Sequence, residues 1–136
     1  MPAKLKVEIV TPEAVVYSQE VDMVTLPGAE GEMGIYPQHV PVLTQLVAGE
    51  VAVLRDGQLD FLAVGNGFVE ITGEKVAVMT DMAIKAADID EAKAEEARRT
   101  AEARLAAVTD VEEAALVEAS LARSLAQLRV KRRRRG

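Results

Sequence analysis

Apolar and polar residues alternate almost from the start of the chain. Leu5, Val7 and Ile9 are interleaved with Lys4, Lys6 and Glu8, the period of two that marks a strand with one buried face. Thr11-Pro12-Glu13 ends that strand, and Val15-Val16-Tyr17 and Val21-Asp22-Met23-Val24-Thr25-Leu26 read as further short strands. Val51-Ala52-Val53-Leu54 and Leu59-Asp60-Phe61-Leu62-Ala63-Val64 flank Arg55-Asp56-Gly57-Gln58. Asp-Gly between two apolar runs predicts a type I′ hairpin, whose two central residues need positive φ. Phe68-Val69-Glu70-Ile71 and Lys75-Val76-Ala77-Val78-Met79-Thr80, joined by Thr72-Gly73-Glu74, predict a second hairpin of the same kind. Short strands with frequent turn signals point to a sandwich or barrel.

Beyond Gly73 the pattern changes. From Glu74 to Arg135 there is neither glycine nor proline, and Ala, Glu and Arg dominate, as befits helix. Asp88-Ile89-Asp90-Glu91 and Asp110-Val111-Glu112-Glu113 read as capping-box variants with acidic first turns, where the helix dipole favours negative charge. They predict helices over residues 88–107 and 110–130, antiparallel because Val108-Thr109-Asp110 leaves little room between them. The second carries an apolar stripe of Ala114, Val117, Leu121, Leu125 and Leu128; the first offers mainly Ala94, Ala97, Ala101 and Leu105. Alanines permit close approach but bury little area, so the helices are held by only a few kcal/mol, roughly, once ordering entropy is subtracted. The arm is then either a detachable element or a plain hairpin lid. The predicted fold class is α+β: an N-terminal antiparallel β-sandwich over residues 1–84, a C-terminal two-helix hairpin over 88–130, and a basic tail over 131–136.

Charge sharpens this division. The net charge of −6 conceals a cationic end: Arg123, Arg129, Lys131, Arg132, Arg133, Arg134 and Arg135, with no acid from Arg123 onward. Such an end seeks an anionic surface on protein, nucleic acid or lipid. No apolar run approaches the roughly 18–20 residues that cross a bilayer, and the immediate entry into an alternating pattern argues against a signal peptide. Cysteine is absent, which removes disulfide and thiolate chemistry and fits a reducing compartment.

Catalytic parts are missing. His39 is the sole histidine; no group has metal-ligand spacing, and Ser18, Ser120 and Ser124 have no base in pattern. Two Tyr, two Phe and no Trp leave few platforms for stacking bases. The glycine-dense stretch from Pro27 to His39 spaces Gly28, Gly31 and Gly34 somewhat like a phosphate loop. It has no following helix and no Lys-Ser/Thr pair, and Glu30 and Glu32 would repel phosphate. It reads either as an irregular tight turn or as an acidic contact loop.

Longer motifs then carry a resemblance. The run Gly31-Glu32-Met33-Gly34-Ile35-Tyr36-Pro37-Gln38-His39-Val40-Pro41-Val42-Leu43-Thr44 is similar to the pattern G-E-x-G-I-x-P-x-H-x-P-x-[LV]-[TA] of the epsilon subunits of F-type ATP synthase. Gly67-Phe68-Val69-Glu70-Ile71 resembles a second signature of that family, although Asn66 stands where glycine is usual. Asp88-Ile89-Asp90-Glu91-Ala92-Lys93-Ala94 and Leu128-Arg129-Val130 are also in the family's manner. The resemblance implies a non-catalytic rotor subunit, held peripherally at the cytoplasmic face of a bacterial plasma membrane through its complex. Its sandwich would bind the gamma subunit and rest on the c-ring, with Glu30, Gly31, Glu32, Met33 and His39 as contact residues. Its arm would permit rotation when folded and block ATP hydrolysis when extended. Arg123, Arg129 and Lys131 to Arg135 would then approach an acidic segment of the beta subunits within the alpha–beta ring of F1.

No cofactor and no nucleic-acid partner are implied. Some members bind ATP in the folded arm through I/L-D-x-x-R-A. Here Ile89, Asp90 and Ala94 match, Lys93 replaces the arginine, Arg123 matches a second basic position and Gln127 replaces a third. Lys lacks arginine's planar fork, so the resemblance implies weak ATP binding at most. The alternative is a β-sandwich adaptor whose basic tail docks on nucleic acid or anionic lipid; co-purification with ATPase subunits separates the two.

Overall fold

The computed structural model describes residues 3–134, with side chains through Arg133. Ten strands come first: β1 Leu5–Val10, β2 Val15–Val21, β3 Met23–Gly28, β4 Gly31–Ile35, β5 Val42–Leu46, β6 Gly49–Arg55, β7 Gln58–Val64, β8 Gly67–Ile71, β9 Lys75–Thr80 and β10 Ala83–Lys85. A single 3₁₀ turn, Ala86–Asp88, leads to helices α1 Glu91–Ala107 and α2 Val111–Arg134. The strands follow the order β10-β7-β6-β3-β5-β8-β9-β1-β2, with β4 on the free edge of β3. All pairings are antiparallel except β1 with β9. The sheet folds over until β2 and β10 approach each other.

Alternation along the strands fills the space between the layers. Leu5, Val7 and Ile9 meet Val21, Val24, Leu26, Ile35, Leu46, Val51, Val53, Leu62, Val64, Val69, Ile71, Val76 and Val78 in one buried core. The expected sandwich is borne out. Asp56 (φ 50°) and Gly57 (φ 81°) form the β6–β7 turn with positive φ at both residues, as the Asp-Gly signal requires. Asp22 fastens this turn, accepting from Asp56 N at 2.9 Å and from Lys4 Nζ at 2.5 Å.

Four local expectations need correction. The β8–β9 connection is not a turn of the same kind: it spans Thr72–Glu74, Gly73 does not take positive φ, and the Thr72 hydroxyl accepts from Lys75 N at 3.1 Å instead. The stretch Pro27–His39 is not mainly loop, since β3 and β4 pair through it from Val24↔Ile35 to Gly28↔Gly31. Its glycines masked the strand signal. The first helix starts at Glu91, not at residue 88; Asp90 is the N-cap, accepting from Lys93 N at 3.1 Å, and Asp88 ends the 3₁₀ turn. Lys131–Arg134 are not a tail but the last turn of α2. At the other end of α2, Asp110 does cap, accepting from Glu112 N at 3.3 Å.

The arm lies folded against the body. Ala94 and Ala101 of α1 and Val117 and Leu128 of α2 are buried, as the stripe predicts, but Leu125 and Ala97 are exposed. What the stripe misses is a second buried face of α2. Ala126 and Val130 join Ala63 of β7 and Ile89 in a small cluster flanked by Phe61, Met82, Ile84 and Ala86. The arm therefore rests on the sandwich through few large side chains.

Candidate functional site

Three surfaces gather the residues that the sequence singles out. The first is the tip of the β3–β4 hairpin. Gly28 lies so close to its partner that an added Cβ would come 2.9 Å from the Gly31 carbonyl oxygen, and Gly31 takes φ 128°. Ala29 N donates to Gln45 O at 3.1 Å and Val47 N to Pro27 O at 2.9 Å, so the tip is held to β5 and not left free. Glu30 and Glu32 are exposed, while Met33 packs against the core. His39 does not join them. It lies beyond the opposite end of β4, where Gln38 (φ 66°) donates its N–H to Gly73 O at 2.6 Å. His39 Nδ1 sits 2.7 Å from the carbonyl oxygen of Val40, which makes that nitrogen the donor. The contact set thus splits between two ends of the hairpin.

The second surface escaped the sequence reading. Across the outer face of neighbouring strands, register places Phe68 beside Met79, Met79 beside Val10, and Val10 beside Val15. Phe68 is 57%, Met79 45% and Val15 61% exposed, and Leu43 of β5 adds another apolar side chain at 70%. Part of the signal was there: Leu43, Phe68 and Met79 occupy positions out of phase with the buried residues of their own strands, where polar side chains are expected, whereas Val15 is in phase with Tyr17 and Val21 and is exposed beside the register shift between Ile9 and Val10. Phe68, Met79, Val10 and Val15 form one apolar row, with Leu43 diagonal to it, opposite Glu70, and an exposed row of this kind suits a protein contact.

The third surface is the cationic end of the arm, and it is engaged. Arg132 reaches Glu91 through Nε and Glu95 through an Nη, both at 2.9 Å. Arg133 pairs with Glu50 of β6 at 3.1 Å. Lys131 Nζ donates to the Ala86 carbonyl at 3.1 Å, and Arg123 meets Asp81 at 3.3 Å. Arg129 is exposed; Arg135 lies outside the described residues. Glu95 is the hub, since Arg98 and Arg99 also pair with it. Hydrogen bonds from Arg98, and then from Arg132, hold its carboxyl down at about 2 against partial desolvation. The Arg132 guanidinium is correspondingly pushed up by Glu91 and Glu95. Glu91 and Glu95 stand four apart on one face of α1, a spacing visible in the sequence; their partner 37 residues beyond Glu95 was not.

The residues of the ATP motif are dispersed. Ile89 is buried in the small cluster, Asp90 caps α1 and Arg123 faces Asp81. Lys93 alone of the four lines the cleft of about 670 Å³ between the helices, along with Thr100, Arg104, Glu113 and Ser120. Among the described residues no cluster could hold a metal ion, and no helix is long and apolar enough to cross a membrane.

Comparison with known proteins agrees with this architecture. The family described as ATP synthase, Delta/Epsilon chain, beta-sandwich domain matches residues 4–86, and the corresponding long alpha-helix domain matches residues 87–132. The ATP synthase epsilon chain of Acidithiobacillus ferridurans is 41% identical over 99% of this chain and 96% of its own length. That of Dehalococcoides mccartyi is 45% identical over 98% and 96% respectively. A chain in the cryo-EM structure of Euglena gracilis mitochondrial ATP synthase, OSCP/F1/c-ring in rotational state 1, superposes with a TM-score of 0.74. It covers 90% of this chain and 78% of that one, but at 24% identity the likeness is one of fold. With both domains matched in order and full-length relatives above 40% identity, this chain belongs to the ATP synthase epsilon-chain family.

Proposed function

We propose that the chain couples the F1 sector to the c-ring as part of the central rotor, and that its arm restrains ATP hydrolysis when it leaves the sandwich. The observation that carries the coupling role is the apolar outer face of Leu43, Phe68, Met79 and Val15. A sheet face of this kind needs a protein cover, and in this family the gamma subunit is the fitting one. The acidic hairpin tip, Glu30 to Met33, presents charge from a rigid base, suited to the polar loops of a c-ring. His39, at the other end of β4, would touch a different part of that surroundings.

The braking role is supported by the thinness of the arm's seat. Few large side chains hold it, so detachment costs little, and α2 carries Arg123, Arg129 and Lys131 to Arg134 toward an acidic segment of the beta subunits. The chain would work at the cytoplasmic face of a bacterial plasma membrane, attached through its complex. ATP, where it binds the arm at all, would bind weakly, because Lys93 offers a point charge where a planar fork is wanted.

The test compares F1 carrying the full chain with F1 carrying a chain ending at Ala87. The shorter chain should still join gamma, and hydrolysis should rise. A fragment that folds and binds but leaves hydrolysis unchanged would remove the brake. Glu32→Lys should weaken coupling of proton flow to ATP turnover in membranes while sparing hydrolysis by soluble F1; unaltered coupling would reduce Glu32 to ordinary surface charge.

A further inference from the structure

The cationic end of α2 has a second use that its role toward an acidic partner does not require. We propose that the last turn of α2 is an electrostatic latch: Arg132 clamped between Glu91 and Glu95, and Arg133 seated on Glu50, hold the arm closed, so that release is an exchange of home carboxylates for those of a partner. This rests on the braking role above and concerns how the brake is kept off.

The geometry is specific. Glu91 and Glu95 lie one turn apart on α1, and the Arg132 guanidinium spans both, at 2.9 Å to each. Two separated acceptors match a planar fork and not a single ammonium. The neighbouring arginine engages a different element: Arg133 reaches β6 through Glu50, whose side chain is only 14% exposed. Lys131 adds a bond to the Ala86 carbonyl in the linker. One helical turn thereby ties α2 to α1, to the linker and to the sandwich. Beneath it Val130 is fully buried, so opening the ion pairs and lifting the apolar contact are one motion. Single exposed pairs contribute little and are screened by salt, but here several act on a single small seat. The carboxylates present to Arg132 the kind of surface that an acidic partner would offer.

Two opposite effects follow from the same residues. Removing tip charge weakens the hold on a partner; removing the home carboxylates frees the tip with its charge intact. Glu91→Gln/Glu95→Gln should therefore open the arm without blunting it, and Arg132→Lys should loosen the clamp while preserving net charge. Glu102→Gln is the control, since it breaks the Arg98–Glu102 pair on α1 without touching Arg132.

The sequence has no cysteine, so Glu13→Cys and Glu118→Cys, both exposed sites, accept a fluorophore pair on the full isolated chain. Energy transfer then reports the ratio of undocked to docked arm. In low salt the double Gln variant and Arg132→Lys should raise that ratio about fivefold to tenfold, the control should match the parent, and added salt should bring the parent toward the variants. Parental energy transfer in both variants, with the sandwich still folded by circular dichroism, would overturn the latch. Hydrolysis by reconstituted F1 is read separately. An opened arm that fails to inhibit upholds the latch and refutes the brake, whereas an arm that stays docked refutes the latch whatever F1 does.

Discussion

Replacing Val130 with alanine tests whether the arm is a separate, weakly seated unit. Val130 is fully buried, but in the small cluster with Ala63, Ile89 and Ala126 and not in the sandwich core. The change deletes the equivalent of two methylene groups, about 1.6 kcal/mol of transfer free energy at about 0.8 kcal/mol each. Incomplete collapse of the site raises the cost to about 2 kcal/mol. Alanines make up much of the remaining seat, so little else compensates. An energy of about 2 kcal/mol shifts the docking equilibrium about thirtyfold. Hydrogen exchange of the α2 amides should accelerate by about that factor, because exchange follows the local opening equilibrium. The sandwich amides and the sandwich melting transition should stay put. Parental exchange throughout α2 would refute the idea that this cluster seats the arm. A fall in protection across the sandwich as well would show that arm and body unfold as one unit, leaving no basis for a detachable brake.

Gly67→Ala should damage the body instead: an added Cβ would press on the Met79 carbonyl and the Thr80 backbone within the β8–β9 pair. A cost of about 3 kcal/mol should lower Tm by about 15 °C in a thermal melt, and an unchanged Tm would mean the strands part easily. Glu95, with its carboxyl held at about 2 against an ordinary 4.5, favours the folded arm above about 4.5, and that contribution is lost as pH falls toward about 2. Most of that shift comes from Arg98 within α1 itself and only the smaller share from Arg132 of α2, so α2 exchange should rise only modestly across that window, and the Glu95→Gln variant should lack this component. Calorimetry should detect weak ATP binding at most, strengthened in Lys93→Arg/Gln127→Arg; no gain in the double variant would detach these positions from nucleotide recognition.

The local periods alone determined the order of a strand-rich body and a helical pair, the Asp56-Gly57 turn, and the cap at Asp110. Each depends on residues within one turn or one strand of each other, where sterics and backbone hydrogen bonds act without reference to the rest of the chain. Longer motifs brought the family within reach, because Gly31 to Thr44 is a contiguous run. Tertiary structure decided the rest. Phe68 and Met79 stand out of phase within single strands, but with Val10 and Val15 they become an apolar face only when four strands align in register. Ala126 and Val130 fall outside the apolar stripe of α2, and are buried because Ala63 and Ile89 lie opposite them. The arginines at the end of the chain announce charge but not its partners. Arg132 finds Glu91 from 41 residues away, and Arg133 finds Glu50 on a strand of the body. Charge is a property of the residue, whereas the choice of partner belongs to the packing that brings distant segments within 3 Å or so of one another.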